Sequence, residues 1–565
     1  MIRARRSHIW TLGLLLLAAV GIVALVGLQS TPLFDRDEPR YAQASKQMFE
    51  TGDWVVPMLL DEPRLKKPIA IYWAQAGTMH LLGPTVQSAR LPSAIALILT
   101  SALLLVAVRS IIGARRTLWA TFIFATSLLV LFAGKTTLTD SLLLLWITAA
   151  QLCLYAVWRG RYDTWLLIAM GLCLGLAMLT KGPVVLMFMG MTLVALHLLQ
   201  IKRINPRAVE QGRWIAISPE QALPRAIMRI ALVVGCALLM LAPWIILLER
   251  QIPGAIVNML GSEVVARGTE PQEGHAGPPG YYLLTLPATW FPWIILLPAT
   301  CVHAWRRRHR PMTRFAIAAV LGPWIFLEIY QTKLPHYLLG SFPFLSILTA
   351  DMLVDAIRRR IHNLADYPFF VVCRILAVLL VFIVAAMFVV PALVFTDLPV
   401  MFHVAGALLV ATAAAMGFGA TWHFARLRPG RAALILGLGS WAICAINWTL
   451  YFPNATFLQL SPRIAAVLHE TQPDPAARIA MVGYREGSLA FYQGGTIRPL
   501  RDANFLQTHP PSAWPDLLVC SKRWWDDQPY SVRDRLTILA QHRGLNLGDF
   551  RIYDVMVVRL RTFGD

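Results

Sequence analysis

The chain has 565 residues, of which 57% are hydrophobic, and its mean hydropathy is +0.57. This composition excludes an ordinary soluble globular protein. The formal net charge of +20 would suit a nucleic-acid-binding protein. However, the Lys and Arg residues are dispersed over many short segments between apolar runs, which argues against a single basic surface for nucleic acid.

Long apolar runs divide the sequence, and each is a candidate membrane span. Since a spanning helix needs about 20 mainly apolar residues, the sequence predicts about 13 spans, at residues 8–28, 91–112, 117–134, 139–158, 163–180, 183–200, 226–248, 283–303, 314–331, 337–355, 369–393, 399–423 and 432–451. The first run follows Arg3, Arg5 and Arg6 and has no clear small-residue cleavage site. These features favour an uncleaved signal anchor over a secretory signal peptide.

Alternate connections between the predicted spans are rich in Lys and Arg, as cytoplasmic segments are. These connections lie at residues 3–6, 113–116, 159–161, 202–229, 306–310, 358–360 and 425–431. With a cytoplasmic N-terminus and an odd number of spans, the C-terminus is predicted on the external side. Residues 1–452 then form a membrane domain with two long external loops, residues 29–90 and 249–282.

Residues 453–565 have a different, mixed character. Short strand-like runs alternate with helix-like segments such as residues 531–541, which predicts a small external α/β domain. The strand-like runs lie at residues 478–484, 516–520 and 553–560. Cys520 is the one cysteine of this region, and the sequence has no CxxC motif or Cys/His zinc spacing. The cysteines therefore indicate no function.

Ionisable residues cluster on the predicted external side, above all in FDRDEPRYAQ (34–43) and RLKKPIAIYW (64–73). Such groups are costly beside a bilayer unless they line a cavity, pair with each other or meet a charged substrate. The external set comprises Asp35, Asp37, Glu38, Arg40, Arg64, Lys66, Lys67, Lys135, Asp140, Lys181, Glu263, Arg267, His275, Lys333 and His336. Snorkelling of the lysines to the interface would explain single residues, but several cations at one depth indicate an anion site.

A lipid phosphate or diphosphate is the anion expected at this depth, and Lys and Arg would stabilise its charge as it leaves. The Asp37–Glu38 pair would accept a proton from an attacking hydroxyl or stabilise positive charge on a sugar ring. These groups suit sugar transfer from a polyprenyl-phosphate carrier. Two alternatives remain open: the acidic pair only caps the following helix, or it shares a divalent metal with Glu263 and His275, although no tight ligand spacing supports a metal.

A phosphate-binding loop is excluded for AGKTT (133–137), because the motif needs a glycine where this chain has Leu129.

Residues 37–73 resemble the first external loop of the bacterial 4-amino-4-deoxy-L-arabinose lipid A transferases. These enzymes are relatives of the protein O-mannosyltransferases within the glycosyltransferases of GT-C fold. Further similar motifs follow in family order: LTKGP (179–183), APW (242–244), YYLLTLP (281–287) and KLPHYLL (333–339). The resemblance covers the membrane part, while the C-terminal domain matches only in placement and type.

The resemblance implies an all-α polytopic enzyme of the bacterial inner membrane, with a cytoplasmic N-terminus, a periplasmic C-terminus and an active site in a periplasmic cavity. Its donor would be undecaprenyl phosphate carrying 4-amino-4-deoxy-L-arabinose, and its acceptor a lipid A phosphate, the modification that confers polymyxin resistance. The implied roles are catalysis for Asp37 and Glu38, phosphate binding for Arg40, Lys67, Lys181, Arg267, Lys333 and Tyr337, and a cavity position for Tyr41, Asp140 and Glu263.

One departure is Lys66, since family members often carry Glu at this position. If that Glu contributes to a metal site, the departure argues against the metal here, and it adds positive charge to the cavity. Two other functions stay open: the same fold glycosylating a protein or another glycan, and a transporter or flippase of lipid-linked sugars. Against a transporter, the sequence has no convincing inverted halves.

Overall fold

The computed structural model describes residues 2–34, 37–201, 219–271, 275–358, 369–471, 477–547 and 550–561. Helices dominate its membrane part. They are α1 (Ile2–Leu25), α2 (Asp37–Thr51), α3 (Ala70–Leu82), α4 (Val86–Ala107), α5 (Arg109–Ile112), α6 (Ala114–Ala125), α7 (Leu128–Lys135), α8 (Asp140–Trp158), α9 (Thr164–Lys181), α10 (Val184–Ile201), α11 (Pro219–Gln251), α12 (Ala255–Leu260), α13 (Ala266–Thr269), α14 (Tyr281–Thr289), α15 (Leu297–Arg306), α16 (Pro311–Ile329), α17 (Phe342–Ile357), α18 (Phe369–Val394), α19 (Val400–Ala425), α20 (Pro429–Ile446) and α21 (Phe452–Asn454).

The helices confirm the predicted polytopic membrane architecture. Eight of them, among the described residues, are long and apolar enough to cross a membrane, and two bent pairs pass the same test as single spans. Three shorter apolar helices, Trp10–Leu25, Val184–Gln200 and Val381–Val394, lie at the remaining predicted spans. Every predicted span thus coincides with a helix. Parts of two of the basic connecting segments, 202–229 and 358–360, lie outside the described residues.

The bend between α6 and α7, of 63°, exposes backbone groups that side chains from other helices satisfy. Ser440 Oγ donates to the carbonyl of Thr126 at 2.6 Å, and Trp441 Nε1 donates to that of Ala125 at 2.9 Å. Trp293 Nε1 reaches the Thr126 hydroxyl at 3.1 Å. Because lipid offers no hydrogen bonds, a broken span is tolerated only where the protein supplies such partners.

Two glycines on one face of α9 let this helix approach α11 closely. A Cβ added to Gly171 would lie 2.5 Å from the Val233 carbonyl oxygen, and one added to Gly175 would lie 2.8 Å from that of Ala237. Small residues four apart are a common means of close helix packing in membranes. This contact fixes α9, whose last residue is Lys181.

The C-terminal region contains a five-stranded mixed sheet of order β4-β3-β5-β7-β6. Its elements are α22 (Leu460–Thr471), β3 (Ile479–Val482), α23 (Gly487–Gln493), β4 (Arg498–Pro499), α24 (Phe505–Thr508), β5 (Leu517–Ser521), α25 (Lys522–Asp526), α26 (Tyr530–Arg533), β6 (Leu536–Asn546) and β7 (Arg551–Leu560), while β1 (Met58–Leu59) and β2 (Glu62–Pro63) form a small hairpin in the first loop. Strands β3, β4 and β5 are parallel, and β6 and β7 are antiparallel.

The predicted α/β region is confirmed, with one correction. The helix-like segment 531–541 is a short helix followed by the start of β6. Pairing with β7 along ten register positions, Leu536↔Leu560 to Asn546↔Arg551, outweighs the local helical pattern, because a long antiparallel ladder satisfies the backbone and packs one face.

The C-terminal region docks on the long loop at residues 29–90 through helix α23. Tyr492 Oη accepts a hydrogen bond from the Leu33 backbone N–H at 2.9 Å, and Lys46 Nζ donates to the Phe491 carbonyl at 3.5 Å. Arg498 pairs with Asp61 at 2.9 Å. Helix α2 is therefore held between the membrane helices and the sheet region.

We expect Gly171→Leu to lower the stability of the protein by about 1–3 kcal/mol, because the new side chain has no room beside the α11 backbone. The matched control is Gly235→Leu on α11, where an added Cβ meets nothing within 4 Å. Thermal unfolding of both purified variants in one detergent measures the effect. Equal midpoints for the two variants would contradict the close α9–α11 contact.

Candidate active site

Glu38 and Arg90 form a buried ion pair at the base of the first external loop. Arg90 Nε donates to Glu38 Oε1 at 2.7 Å, and Arg90 Nη2 donates to Glu38 Oε2 at 2.9 Å. The Arg90 side chain is fully buried and that of Glu38 is 3% exposed. This two-point geometry is the strongest form of Arg–carboxylate pairing.

Backbone groups supply the remaining hydrogen bonds of both side chains. Arg90 donates to the carbonyls of Leu28, Thr31 and Pro32 at 2.7–3.0 Å. Glu38 accepts from the N–H groups of Phe34 at 2.7 Å and Thr137 at 3.0 Å. The pair therefore joins the end of α1, the start of α2 and the α7–α8 connection, and Glu38 has no remaining role that requires access to a substrate.

Asp37, one residue earlier, has the opposite environment. It lies in the first turn of α2 with its side chain 65% exposed, 3.8 Å from Arg40 Nη1. Beneath it, the buried guanidinium of Arg64 lies 4.9 Å from the centre of the Tyr41 ring. Burial raises the pKa of Tyr72 to about 12 and holds that of Tyr41 well above its ordinary value, so both phenols stay protonated at neutral pH.

A cavity of about 370 Å³ opens beside these residues, and it has a charged end and an apolar wall. The charged end is lined by Lys66, Lys67, Asp140, Lys181, Glu263, Arg267 and His336, together with the phenols Tyr330 and Tyr337. The wall includes Met178, Leu241, Trp244, Ile245, Met259 and Phe326. This combination fits a molecule with an anionic head and a long apolar tail.

The charges of the cavity form two groups. In one, the Glu263 carboxylate accepts from Lys67 Nζ and from Arg267 Nε, the latter at 3.1 Å. In the other, Lys181 Nζ donates to Asp140 Oδ1 at 2.7 Å, and Nζ of the same lysine lies 5.1 Å from the centre of the Tyr337 ring. The four Lys and Arg side chains exceed the two carboxylates, so the cavity carries net positive charge.

Lys67 lies outside the spanning helices, and its pKa is lowered by its place in the cavity. Burial, with the nearby charges of Lys181 and Arg267, lowers its pKa to about 8, and Glu263 opposes this shift. Lys67 is therefore mostly charged at neutral pH but loses its proton in mildly alkaline solution.

The structure brings together most of the residues that the sequence selected. Lys67, Asp140, Lys181, Glu263, Arg267 and Tyr337 line the cavity, and Asp37 and Arg40 lie at the start of α2. Asp35 lies outside the described residues.

Three selected residues are placed differently. Glu38 is buried against Arg90, and Tyr41 lies under Arg64. Lys333 Nζ donates to the carbonyls of Gly277 and Pro278 at 3.1 and 3.3 Å, so it anchors the second long loop rather than lining the cavity. For Glu38 and Lys333 the cause is the same: a charge beside apolar sequence is paired with polar groups of the protein.

Lys135, another external lysine, is also turned away from the cavity. It is fully buried, and its Nζ donates to the Val26 carbonyl and lies 5.0 Å from the centre of the Trp448 ring. The lysine therefore ties α7 to the end of α1.

The weak metal candidates do not come together. The Glu263 carboxylate is engaged by Lys67 and Arg267, and within the described ranges the group with metal-ligand geometry is instead His303, Asp351 and Asp355. Those two aspartates are already paired with Arg116 and Arg307, so their charge is balanced without a metal.

Two further residues line the cavity: His336, which was selected from the sequence without an assigned role, and Tyr330, which was missed. His336, 3.9 Å from Asp140, and Tyr330, whose hydroxyl donates to the Val264 carbonyl at 3.0 Å, both line the cavity. The KLPHY motif pointed to His336, but Tyr330 lies at the end of an apolar helix without a sequence signal. Arg90 was missed because it directly precedes a predicted span.

This fold and site define a class: a multi-pass membrane protein with a cation-lined cavity at one end of its helices. A family model described as dolichyl-phosphate-mannose-protein mannosyltransferase matches residues 13–257. The structure is similar to ArnT from Cupriavidus metallidurans, with a TM-score of 0.72, 20% identity and coverage of 96% of this chain and 97% of that one. It matches the same protein bound to undecaprenyl phosphate equally well, with a TM-score of 0.72 and 21% identity.

Curated relatives give the same resemblance by sequence. The chain is 30% identical over 352 residues to the undecaprenyl phosphate-alpha-4-amino-4-deoxy-L-arabinose arabinosyl transferase of Serratia proteamaculans, covering 61% of this chain. It is 31% identical over 342 residues to the enzyme of that name from Yersinia enterocolitica, covering 59% of this chain. The matches span 59% and 58% of these relatives' own lengths. The resemblance predicted from the first external loop is confirmed.

We expect Glu38→Gln to destabilise the protein by about 3–5 kcal/mol, because it leaves Arg90 buried without its counter-charge. Asp37→Asn is the matched control, and since its side chain is exposed, the change should stay within about 0.5 kcal/mol. Thermal unfolding in detergent compares the two. A Glu38→Gln variant as stable as Asp37→Asn would show that the pair does not anchor the loop.

Proposed function

We propose that this protein is a glycosyltransferase that moves 4-amino-4-deoxy-L-arabinose from undecaprenyl phosphate to a phosphate of lipid A, at the periplasmic face of the bacterial inner membrane. The observation that carries the proposal is the cavity whose cations, Lys67, Lys181 and Arg267, lie beside a long apolar wall. The names of the similar proteins supply the sugar and the carrier. The acceptor follows from the resemblance of the first external loop.

The donor fits the cavity in one orientation. Its phosphodiester would contact Lys67 and Arg267, and its polyprenyl chain would lie along the wall formed by Trp244 and its apolar neighbours. As the glycosidic bond breaks, the lipid phosphate gains negative charge. The buried cations stabilise that charge more strongly than water would, because they are fixed and partly desolvated.

The acceptor determines what Asp37 must do. A phosphomonoester is largely a dianion near neutral pH, with a second pKa of about 6, so it needs no strong base. Its oxygen attacks the anomeric carbon of the sugar while the bond from that carbon to the undecaprenyl phosphate oxygen breaks. Asp37 would orient the reactants or stabilise the positive charge that develops on the sugar ring, and Arg40 would hold the acceptor phosphate.

The other residues position this set. Glu38, through Arg90, holds the first turn of α2, and Lys333 holds the second loop. Asp140 keeps Lys181 directed into the cavity, with His336 and Tyr337 beside the pair. The domain at residues 453–565 would lie on the periplasmic side and cover α2, with the membrane domain at residues 1–452.

Mass spectrometry of lipid A tests the function directly. Cells that express the protein should gain lipid A species heavier by one aminopentose. A sugar of another mass would change the donor, and unmodified lipid A with modified protein or glycan would change the acceptor. Purified protein that consumes the donor and releases free undecaprenyl phosphate excludes a transporter, whereas transport of the intact donor without release would reject the proposal.

Replacing Asp37 with Asn, or Lys67 with Met, should lower the rate of sugar transfer by about 100- to 1,000-fold, the usual cost of removing one group that stabilises a transition-state charge. Lys522→Met, on the C-terminal surface, is the control and should keep full activity. Transfer is measured as labelled sugar appearing in lipid A. Full activity of both cavity variants would disprove the assigned site.

The affinity for undecaprenyl phosphate should fall as the pH rises through about 8, the pKa of Lys67. A bound phosphate favours the charged amine, so above this pKa binding costs a proton, which weakens it by up to about tenfold per pH unit. Lys67→Arg should remove this fall, because a guanidinium stays charged in this range. Titrations at constant ionic strength check it, and an identical pH profile for both proteins would exclude Lys67 as the cause.

A further inference from the structure

We propose that Glu263 is an internal competitor for the phosphate site: its carboxylate exchanges with the lipid phosphate on Lys67 and Arg267, and thereby speeds release of the lipid phosphate product. The binding half of this inference concerns the cavity alone. The product-release half rests on the proposed function.

The contacts of Glu263 show which hydrogen bonds a lipid phosphate would replace. One oxygen of Glu263, Oε2, accepts from both Lys67 Nζ and Arg267 Nε. The three side chains are 13–17% exposed and line the cavity. A phosphate oxygen that accepts from the same two N–H groups would take the place of this carboxylate oxygen, because one position lies between the two donors.

The backbone at Glu263 suits such an exchange. Glu263 lies in a π-helical turn, Gly261–Val265, between α12 and α13. π turns are rare, and they occur frequently at functional sites. Arg267, in contrast, is fixed from behind, since its carbonyl accepts from the Thr332 N–H at 3.1 Å. The carboxylate can therefore leave by a local change in the turn while the backbone of Arg267 keeps its place.

Charge gives the exchange a direction. Asp140 forms an ion pair with Lys181, and Glu263 forms ion pairs with Lys67 and Arg267. Without Glu263, two nearly buried cations would lack a counter-charge, which is costly. The donor phosphodiester carries one negative charge, but the product phosphomonoester carries up to two near neutral pH. The product is thus held more tightly than the donor, and an anion in the protein that competes for the same cations lowers the affinity for both and so speeds release of the product.

A purely structural ion pair predicts the opposite effect. If Glu263 only positioned Lys67 and Arg267, its loss would misplace both cations and weaken phosphate binding. If it competes with phosphate, its loss strengthens binding. The sign of the change therefore separates the two roles.

The test measures binding of undecaprenyl phosphate, without sugar, to the full chain in nanodiscs. Glu263→Gln should bind it about tenfold more tightly than the natural protein, and Glu263→Asp, which keeps the charge on a shorter side chain, should fall between them. Glu270→Gln, the same change on an exposed residue of the same loop, should stay within about twofold. Unchanged or weaker binding by Glu263→Gln, or by Glu263→Asp if the first variant does not fold, overturns the proposal.

Kinetics test the second half. In Glu263→Gln steady-state turnover should fall more than the single-turnover rate of sugar transfer, because release of undecaprenyl phosphate becomes rate-limiting. An equal loss in both rates would overturn the release role. If the natural protein transfers no sugar at all, the proposed function fails, and the binding experiment still decides whether Glu263 competes with phosphate.

Discussion

The buried pair of Glu38 and Arg90 is the contact on which the arrangement of the site depends. It is the point where the end of α1, the first external loop and the α7–α8 connection meet, and all its strong donors and acceptors are used within the protein. A buried pair of this kind costs much to desolvate and more to break. The two adjacent acidic residues therefore differ: Glu38 fixes the start of α2, whereas Asp37 remains accessible.

The charges in the cavity are also paired, but here the pairing leaves an excess of positive charge. Its cations outnumber its carboxylates, and they lie where apolar helices meet water, so an anionic head group gains charge pairing and its tail gains an apolar surface. Lys67 shows what this placement costs, because burial lowers its pKa to about 8. A lysine that remains charged only to that pH is a cation that a phosphate can stabilise strongly.

Sequence alone predicted the spans well, because a run of apolar residues has few alternatives to a membrane helix. It predicted the charged end of the cavity in part, because external charges in otherwise apolar sequence need an explanation. It could not predict which charges would find protein partners: Glu38 and Lys333 look like cavity residues until Arg90 and the carbonyls of the second loop are placed. The helix predicted within residues 531–541 was wrong for a related reason, because long-range pairing with β7 determines the structure of this segment.

Helix α2 is held from two sides, and this explains how a domain remote from the membrane helices takes part in the site. The Glu38–Arg90 pair fixes its first turn from the membrane side, while α23 packs against it from the sheet region. At Gly487 an added Cβ would lie 3.3 Å from Arg40 Cγ, tighter than most real contacts. A side chain there would push on Arg40, and Arg40 lies 3.8 Å from Asp37. The absence of a side chain at Gly487 therefore lets the C-terminal region touch α2 without displacing Arg40 and Asp37.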